Sequence, residues 1–229
     1  MHEAALDTSG GTAFAIKEND KVLATHYRPY EPQNTQEKLE PWLREILQEY
    51  ELTFSSIARW RVGLGPGSFT GIRVGIAFLK GIALQSAAEI QGVSTAYGVA
   101  AQTSADLPKN SRIIVLNDAR RHQLVLTEFH KEKGGLSLSE NSFIPADEEQ
   151  LKHHLSNCSR LVTMQPEAVN KVLPEEFRGK LLVLNELDAS SLFSAPEELR
   201  QRYEMGSTNI EPIYVRPPAA VKPGTGKKS

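Results

Sequence analysis

The sequence predicts an α/β protein built from two tandem lobes, each a three-stranded β-meander followed by helix. Two observations predict it. Short apolar runs broken by turn residues occur twice in the same order, and the first run of each set ends in an aspartate, Leu6-Asp7 and Asn117-Asp118. Between the two sets, a glycine-rich turn at Gly63–Gly67 carries a strand into a helix apolar on nearly all sides.

In the first set, Glu3–Leu6 reads as a strand ending at Asp7-Thr8-Ser9-Gly10, Ala13–Lys17 as its return, and Val22–Tyr27 as the third strand. A helix is expected from Asn34, with Glu37 in capping-box relation and Leu39, Leu43, Ile46, Leu47 and Tyr50 on one face. Pro41 lies inside that pattern, so the helix either kinks there or restarts with Pro41 in its first turn. Arg59–Leu64 is the strand before the glycine turn, followed later by a strand at Ile90–Val93 and a helix at Thr95–Ala105. The second set is Arg112–Asn117, His122–Phe129 and Leu136–Phe143. After it come helices at Asp147–Leu155, Glu167–Leu173 and Ala189–Glu204, strands at Leu161–Met164 and Lys180–Leu184, and an extended segment Pro212–Arg216. The lobes are thus expected at 1–106 and 107–216, with 217–229, rich in Pro, Gly and Lys, as a disordered tail.

Composition narrows the function classes. Hydrophobic content of 40% and a net charge of −2 suit a globular protein whose surface is not built mainly for nucleic acid. Cys158 stands alone, which excludes an internal disulfide framework and fits a reducing cytoplasm. Met1-His2-Glu3 offers no basic segment followed by an apolar core, so no signal peptide is expected. The central helix is too short and too charged to span a membrane.

That helix carries two apolar stripes, Phe69-Ile72-Ile76-Leu79-Ala83 and Gly71-Val74-Gly75-Phe78-Ile82, while Arg73 and Lys80 share one narrow charged line. Each interior glycine costs roughly 1 kcal/mol against alanine. Two readings stand: a core helix with tight internal packing, or a helix with one face reserved for a partner. Phosphate-loop and nucleophile patterns fail on this stretch. No register supplies G-x-x-x-x-G-K-[ST] or G-x-G-x-x-G, and Pro66 rather than glycine lies two before Ser68.

The run Gly65-Pro66-Gly67-Ser68-Phe69-Thr70-Gly71-x-Arg73-x-Gly75 resembles the hallmark of the bacterial TsaB (YeaZ) family, often labelled glycoprotease-like or peptidase M22-like. The tandem meanders agree with the actin/sugar-kinase/Hsp70-like superfold that this resemblance implies. It also implies a cytoplasmic, catalytically degenerate subunit without a cofactor, supporting a larger TsaD-like catalytic paralogue in tRNA threonylcarbamoyladenosine modification. A TsaE-like ATPase and tRNA would join through that complex, and a second copy of the chain could take the partner's place. The expected partner-binding residues are Leu39, Leu43 and Ile46 of the first helix with Gly71, Val74, Gly75 and Phe78 of the central one. Thr35, Gln36 and Glu40 depart from the family pattern there, while Glu37, Lys38, Leu39 and Pro41 fit it.

Asp7, Thr8, Ser9 and Asp118 occupy the positions where ATPases of this superfold grip phosphate and magnesium, and are expected as vestigial phosphate-loop residues. The same residue types are what any tight turn prefers. A small-molecule kinase or ATPase using Asp7 and Asp118 is the alternative enzyme reading. No glycine-rich adenine loop is visible in the last third. The histidines offer no His-x-x-x-His pair and no H-E-x-x-H motif, and His153-His154 suit a solvated helix face.

Overall fold

The computed structural model describes residues 1–29, 39–202 and 210–215. The first lobe contains β1 (His2–Asp7), β2 (Gly11–Glu18), β3 (Lys21–Pro29), α1 (Leu39–Glu49), β4 (Ile57–Gly63), α2 (Phe69–Ser86), β5 (Glu89–Val93) and α3 (Thr95–Gln102). The second contains β6 (Arg112–Asp118), β7 (Leu124–Glu132), β8 (Gly135–Phe143), α4 (Glu148–Leu155), β9 (Arg160–Thr163), α5 (Pro166–Val169), α6 (Glu175–Arg178) and β10 (Leu181–Val183). The last strand, β11 (Arg200–Arg202), closes the series. Two sheets result, ordered β11-β5-β4-β1-β2-β3 and β10-β9-β6-β7-β8. Both meanders are antiparallel, and each first strand also pairs in parallel with a later one, β1 with β4 and β6 with β9. This is the layout of the actin/sugar-kinase/Hsp70-like superfold.

Side-chain alternation along the strands makes three apolar layers. Ala4 and Leu6 of β1 face α1 and α2, whereas Ala5 faces the space between the sheets. In β6, Ile113 and Val115 point into that shared layer, and Ile114 and Leu116 point to α4 and α5. α3 and the 3₁₀ turn Ala189–Ser194 fill the shared layer, with Val99, Ala100 and Leu192 buried. Beside it lies an ionic group on the first sheet. Glu3 accepts from Arg59 at 3.0 Å and from Arg61 at 3.3 Å, with Lys17 at 3.4 Å. Burial pulls the Arg61 guanidinium down to about 10, a shift that neighbouring Arg200 reinforces.

Two stretches differ from the sequence reading, and a third decides between its alternatives. The expected helix Ala189–Glu204 is two 3₁₀ turns, Ala189–Ser194 and Glu197–Leu199, followed by β11 as far as Arg202. Leu192, Ala195 and Leu199 imitate a helical stripe, but the serines satisfy the backbone locally. Ser191 Oγ donates to Asp188 O and Ser194 Oγ to Ser191 O, and Pro196 then breaks the run. β11 pairs antiparallel with β5, so the chain returns to the first sheet, and Ile210 is buried in the first lobe's outer layer. The expected helix Glu167–Leu173 is only α5, with α6 following Pro174. α1 has Pro41 in its first turn, which is the restart reading. The Asn34–Glu37 cap and the tail at 217–229 lie outside the described residues.

Candidate functional site

The glycine turn and the N-terminal half of α2 are folded onto the first hairpin. Gly65 has φ +88°, a left-handed value that glycine adopts without a Cβ clash. Ser68 caps α2, its Oγ accepting from Gly71 N at 3.2 Å, while its own N–H donates to Ser9 O at 2.6 Å. Thr8 Oγ1 donates to Gly71 O at 2.7 Å. A Cβ on Gly71 would sit 2.0 Å from Thr8 O, and one on Gly75 would sit 2.5 Å from Thr8 Oγ1. The close approach these two glycines permit is to the chain's own hairpin, and both are buried. Core packing claims them.

Asp7 sits deeper still, 2% exposed. Its Oδ1 accepts from Ser9 N at 2.8 Å and Ser9 Oγ at 2.6 Å, and its Oδ2 accepts from Thr95 Oγ1 at 2.5 Å. Thr95 Oγ1 also accepts from Gly65 N at 2.9 Å, and Gly65 O accepts from Thr95 N at 2.9 Å. A Cβ at Gly63 would lie 1.7 Å from Asp7 Oδ2, so Gly63 leaves the room in which the carboxylate rests. Burial pushes the Asp7 carboxyl above its ordinary value, against the opposing pull of the Ser9 and Thr95 hydrogen bonds. Asp7 ties β1, the glycine turn and the start of α3 together. Thr95, read in the sequence only as a helix start, is the middle of that tie.

The second hairpin opens onto solvent. Asp118 Oδ1 accepts from Arg120 N at 2.8 Å, its Oδ2 lies 3.5 Å from Arg120 Nη1, and its own N–H donates to Gln165 Oε1 at 2.7 Å. Arg120, Arg121 and His122 all take positive φ, between 53° and 63°. Asp118 and Arg120 line an open cleft of about 540 Å³ whose opposite wall is Ser9-Gly10 and Pro66–Thr70. Of the four expected phosphate-loop residues, the structure brings Ser9 and Asp118 to this cleft. It seals Asp7 and Thr8 behind it, both at most 3% exposed.

The expected partner-binding residues divide in the same way. Leu39, Leu43 and Ile46 are at most 4% exposed, and with Gly71 and Gly75 they belong to the first lobe's own interior. Val74 and Phe78 remain half-buried along the flank of α2, where Phe78 meets Phe54 edge-on at 5.7 Å. The open face of α2 is instead Phe69, Thr70, Arg73, Ala77, Gly81 and Leu84. Leu84 is 67% exposed and Phe69 41%, and a Cβ on Gly81 would meet nothing within 4 Å. In sequence, Ala77 and Leu84 share the line of Arg73, which reads as a solvent side; that is why they were missed.

The histidines hold one surprise. His153 is exposed, but His154 is half-buried, with Nδ1 2.8 Å from Glu128 Oε1 and its ring 4.7 Å from that of Phe143, tilted by 57°. Glu128, Glu140 and His154 are the one set of potential metal ligands that converges among the described residues. Arg112 already takes both Glu128 oxygens, at 2.9 and 3.0 Å, so its guanidinium occupies the place of a cation. No helix among the described residues is long and apolar enough to cross a membrane.

Comparison with known proteins adds names to this geometry. The family model "TsaD: tRNA N6-adenosine threonylcarbamoyltransferase" matches residues 31–170. The chain is 27% identical to the tRNA threonylcarbamoyladenosine biosynthesis protein TsaB of Escherichia coli K12, over 100% of both chains. It is 24% identical to the protein of that name from Haemophilus influenzae, over 93% of this chain and 92% of the relative. A solved structure from Pseudomonas aeruginosa, described as similar to peptidase YeaZ, superposes with a TM-score of 0.72 at 21% identity, covering 94% of this chain and 99% of that one. A second, titled YeaZ from the same organism, gives 0.65 at 21% identity over 84% and 89%.

Proposed function

The chain belongs to the TsaB/YeaZ family, and on that footing we propose that it serves tRNA threonylcarbamoyladenosine biosynthesis as a non-catalytic scaffold for a TsaD-like catalytic subunit. The observation that carries this reading is the open face of α2. A helix whose inner side is already packed on its own sheet exposes Leu84 and Phe69 around the small residues Ala77 and Gly81, a surface suited to another helix. The match to a TsaD family model spans α1 and α2, so the catalytic partner carries counterparts of both helices and offers a like surface in return. The four helices then pack as one bundle. A second copy of this chain uses the same face when the partner is absent. A TsaE-like ATPase and the tRNA are reached through the assembled complex, in the cytoplasm.

The sealed Asp7 supports the non-catalytic part of the reading. A carboxylate held by Ser9 and Thr95 and only 2% exposed does not line the cleft where a magnesium-bound phosphate would sit. The test is co-purification of the full chain with the TsaD of the same organism, followed by sizing. A stable heteromeric complex is the expected result. A chain that ignores TsaD, or that turns over ATP in a manner lost in Asp7→Ala, overturns it.

A further inference from the structure

We propose that the segment Ile210–Val215 is a strap that sets the shape of the partner-binding end of α2, with Tyr214 as its positioning residue. This rests on the scaffold reading above, and commits to the same occupant, the helix pair of a TsaD-like subunit.

The strap is tied at three levels. Ile210 is 2% exposed in the first lobe's outer layer, and Glu211 N donates to Gln201 Oε1 at 3.0 Å beside the short edge strand β11. Ile213 N donates to Leu64 O at 2.9 Å, adding a main-chain bond to the end of β4 just before the glycine turn. Tyr214 then reaches α2. Its hydroxyl accepts from Arg73 Nε at 2.9 Å, its ring lies 5.2 Å from that of Phe69, and the Arg73 guanidinium lies 3.8 Å above the Phe69 ring.

Phe69 and Tyr214 are 41% and 37% exposed, and Arg73 is exposed too. Three long, solvent-facing side chains would normally sample several rotamers, and each would have to be ordered when a partner docks. Here they order one another before any partner arrives. Arg73 is held between an aromatic face and a hydroxyl acceptor, which fixes both its reach and its plane. The aromatic and arginine content is also what dominates binding energy in interfaces. The fold already secures the strap through Ile210 and Ile213, so the outermost contact, Tyr214 to Arg73, contributes little to folding. Its consequence falls on the surface α2 presents.

The experiment uses the full chain as wild type, Tyr214→Phe and Tyr214→Ala. The dissociation constant for TsaD of the same organism is read by calorimetry, the melting temperature by circular dichroism, and hydrogen exchange at Arg73 Nε by NMR in the free chain. Tyr214→Phe keeps the ring and removes only the acceptor. It should weaken binding about three- to tenfold, leave melting unchanged, and lose the protection of the Arg73 Nε proton. Tyr214→Ala should weaken binding further, and if it also lowers melting the phenylalanine variant decides. Unchanged affinity in Tyr214→Phe overturns the strap and leaves the scaffold reading standing. Weakened affinity with Arg73 Nε still protected makes Tyr214 a direct contact and overturns the positioning role. Wild type that fails to bind TsaD overturns the scaffold reading itself, and the strap with it.

Discussion

The two hairpins, β1–β2 and β6–β7, have the same topology and an aspartate at the same place, yet opposite uses of it. Asp7 is buried, bonded on both oxygens within the protein, and seated in the room that Gly63 leaves. Asp118 is partly exposed at a cleft and pairs with an arginine that is 87% exposed. The difference comes from what covers each turn. Over the first lies α2, whose glycines let the helix backbone settle against Thr8. Over the second nothing comparable lies among the described residues, and three consecutive left-handed residues project outward. A duplicated element can keep its strand pairing while one copy becomes packing and the other remains surface.

The largest way to break that contrast is Gly71→Leu. With a Cβ already 2.0 Å from Thr8 O, the leucine forces α2 off the first hairpin. Thermal melting should show a loss of about 4 kcal/mol or more, the upper end of single substitutions. Gly81→Leu, whose Cβ meets nothing within 4 Å, should stay within about 1 kcal/mol of wild type. Next in size is Asp7→Ala, which leaves the Ser9 amide and the Thr95 hydroxyl without their acceptor. A cost of about 2–4 kcal/mol is expected in denaturant unfolding, against under about 1 kcal/mol for Asp118→Ala, whose partners can turn to water. Equal costs for the two alanines would erase the distinction.

A smaller effect sharpens it through pH. Burial places the folded Asp7 pKa above its ordinary value of 3.8. Over the window between the two values the folded protein keeps a proton that the unfolded chain has released. The stability from this group is therefore full below about pH 3.8 and is lost as pH rises through the folded value. Asp7→Asn cannot titrate. Its stability relative to wild type should rise with pH across that window, by at most about 1.4 kcal/mol per pH unit, as read by urea unfolding at several pH values. A flat difference would mean that the hydrogen bonds offset the burial, and one that falls with pH that they outweigh it.

The sequence carried the fold well because strand pairing leaves marks in it. The two sets of strands, the two aspartate turns and the glycine turn leading into the central helix were all readable. Much of what escaped it has one cause, that pattern records that a residue is apolar or small without recording which surface it meets. Gly71 and Gly75 did signal a close approach, but to Thr8 of the same chain. Leu39, Leu43 and Ile46 did signal a buried stripe, and their own sheet buries it. The open face escaped because Ala77 and Leu84 share a helical line with Arg73. The crossover from Ala189 to Arg202 escaped because serine hydroxyls bonding nearby carbonyls leave no periodic trace. Thr95 escaped because a relay between Asp7 and Gly65 joins residues far apart in the chain.

The central claim is that α2 turns Gly71 and Gly75 inward and its Ala77–Gly81–Leu84 face to a TsaD-like partner. Ala77→Arg tests it most directly, because Ala77 is exposed and a longer side chain there has solvent to enter. Size-exclusion chromatography of the variant mixed with TsaD should show a chain that melts like wild type and elutes alone. A folded Ala77→Arg chain that still co-elutes with TsaD would contradict the account and move the interface elsewhere on the molecule.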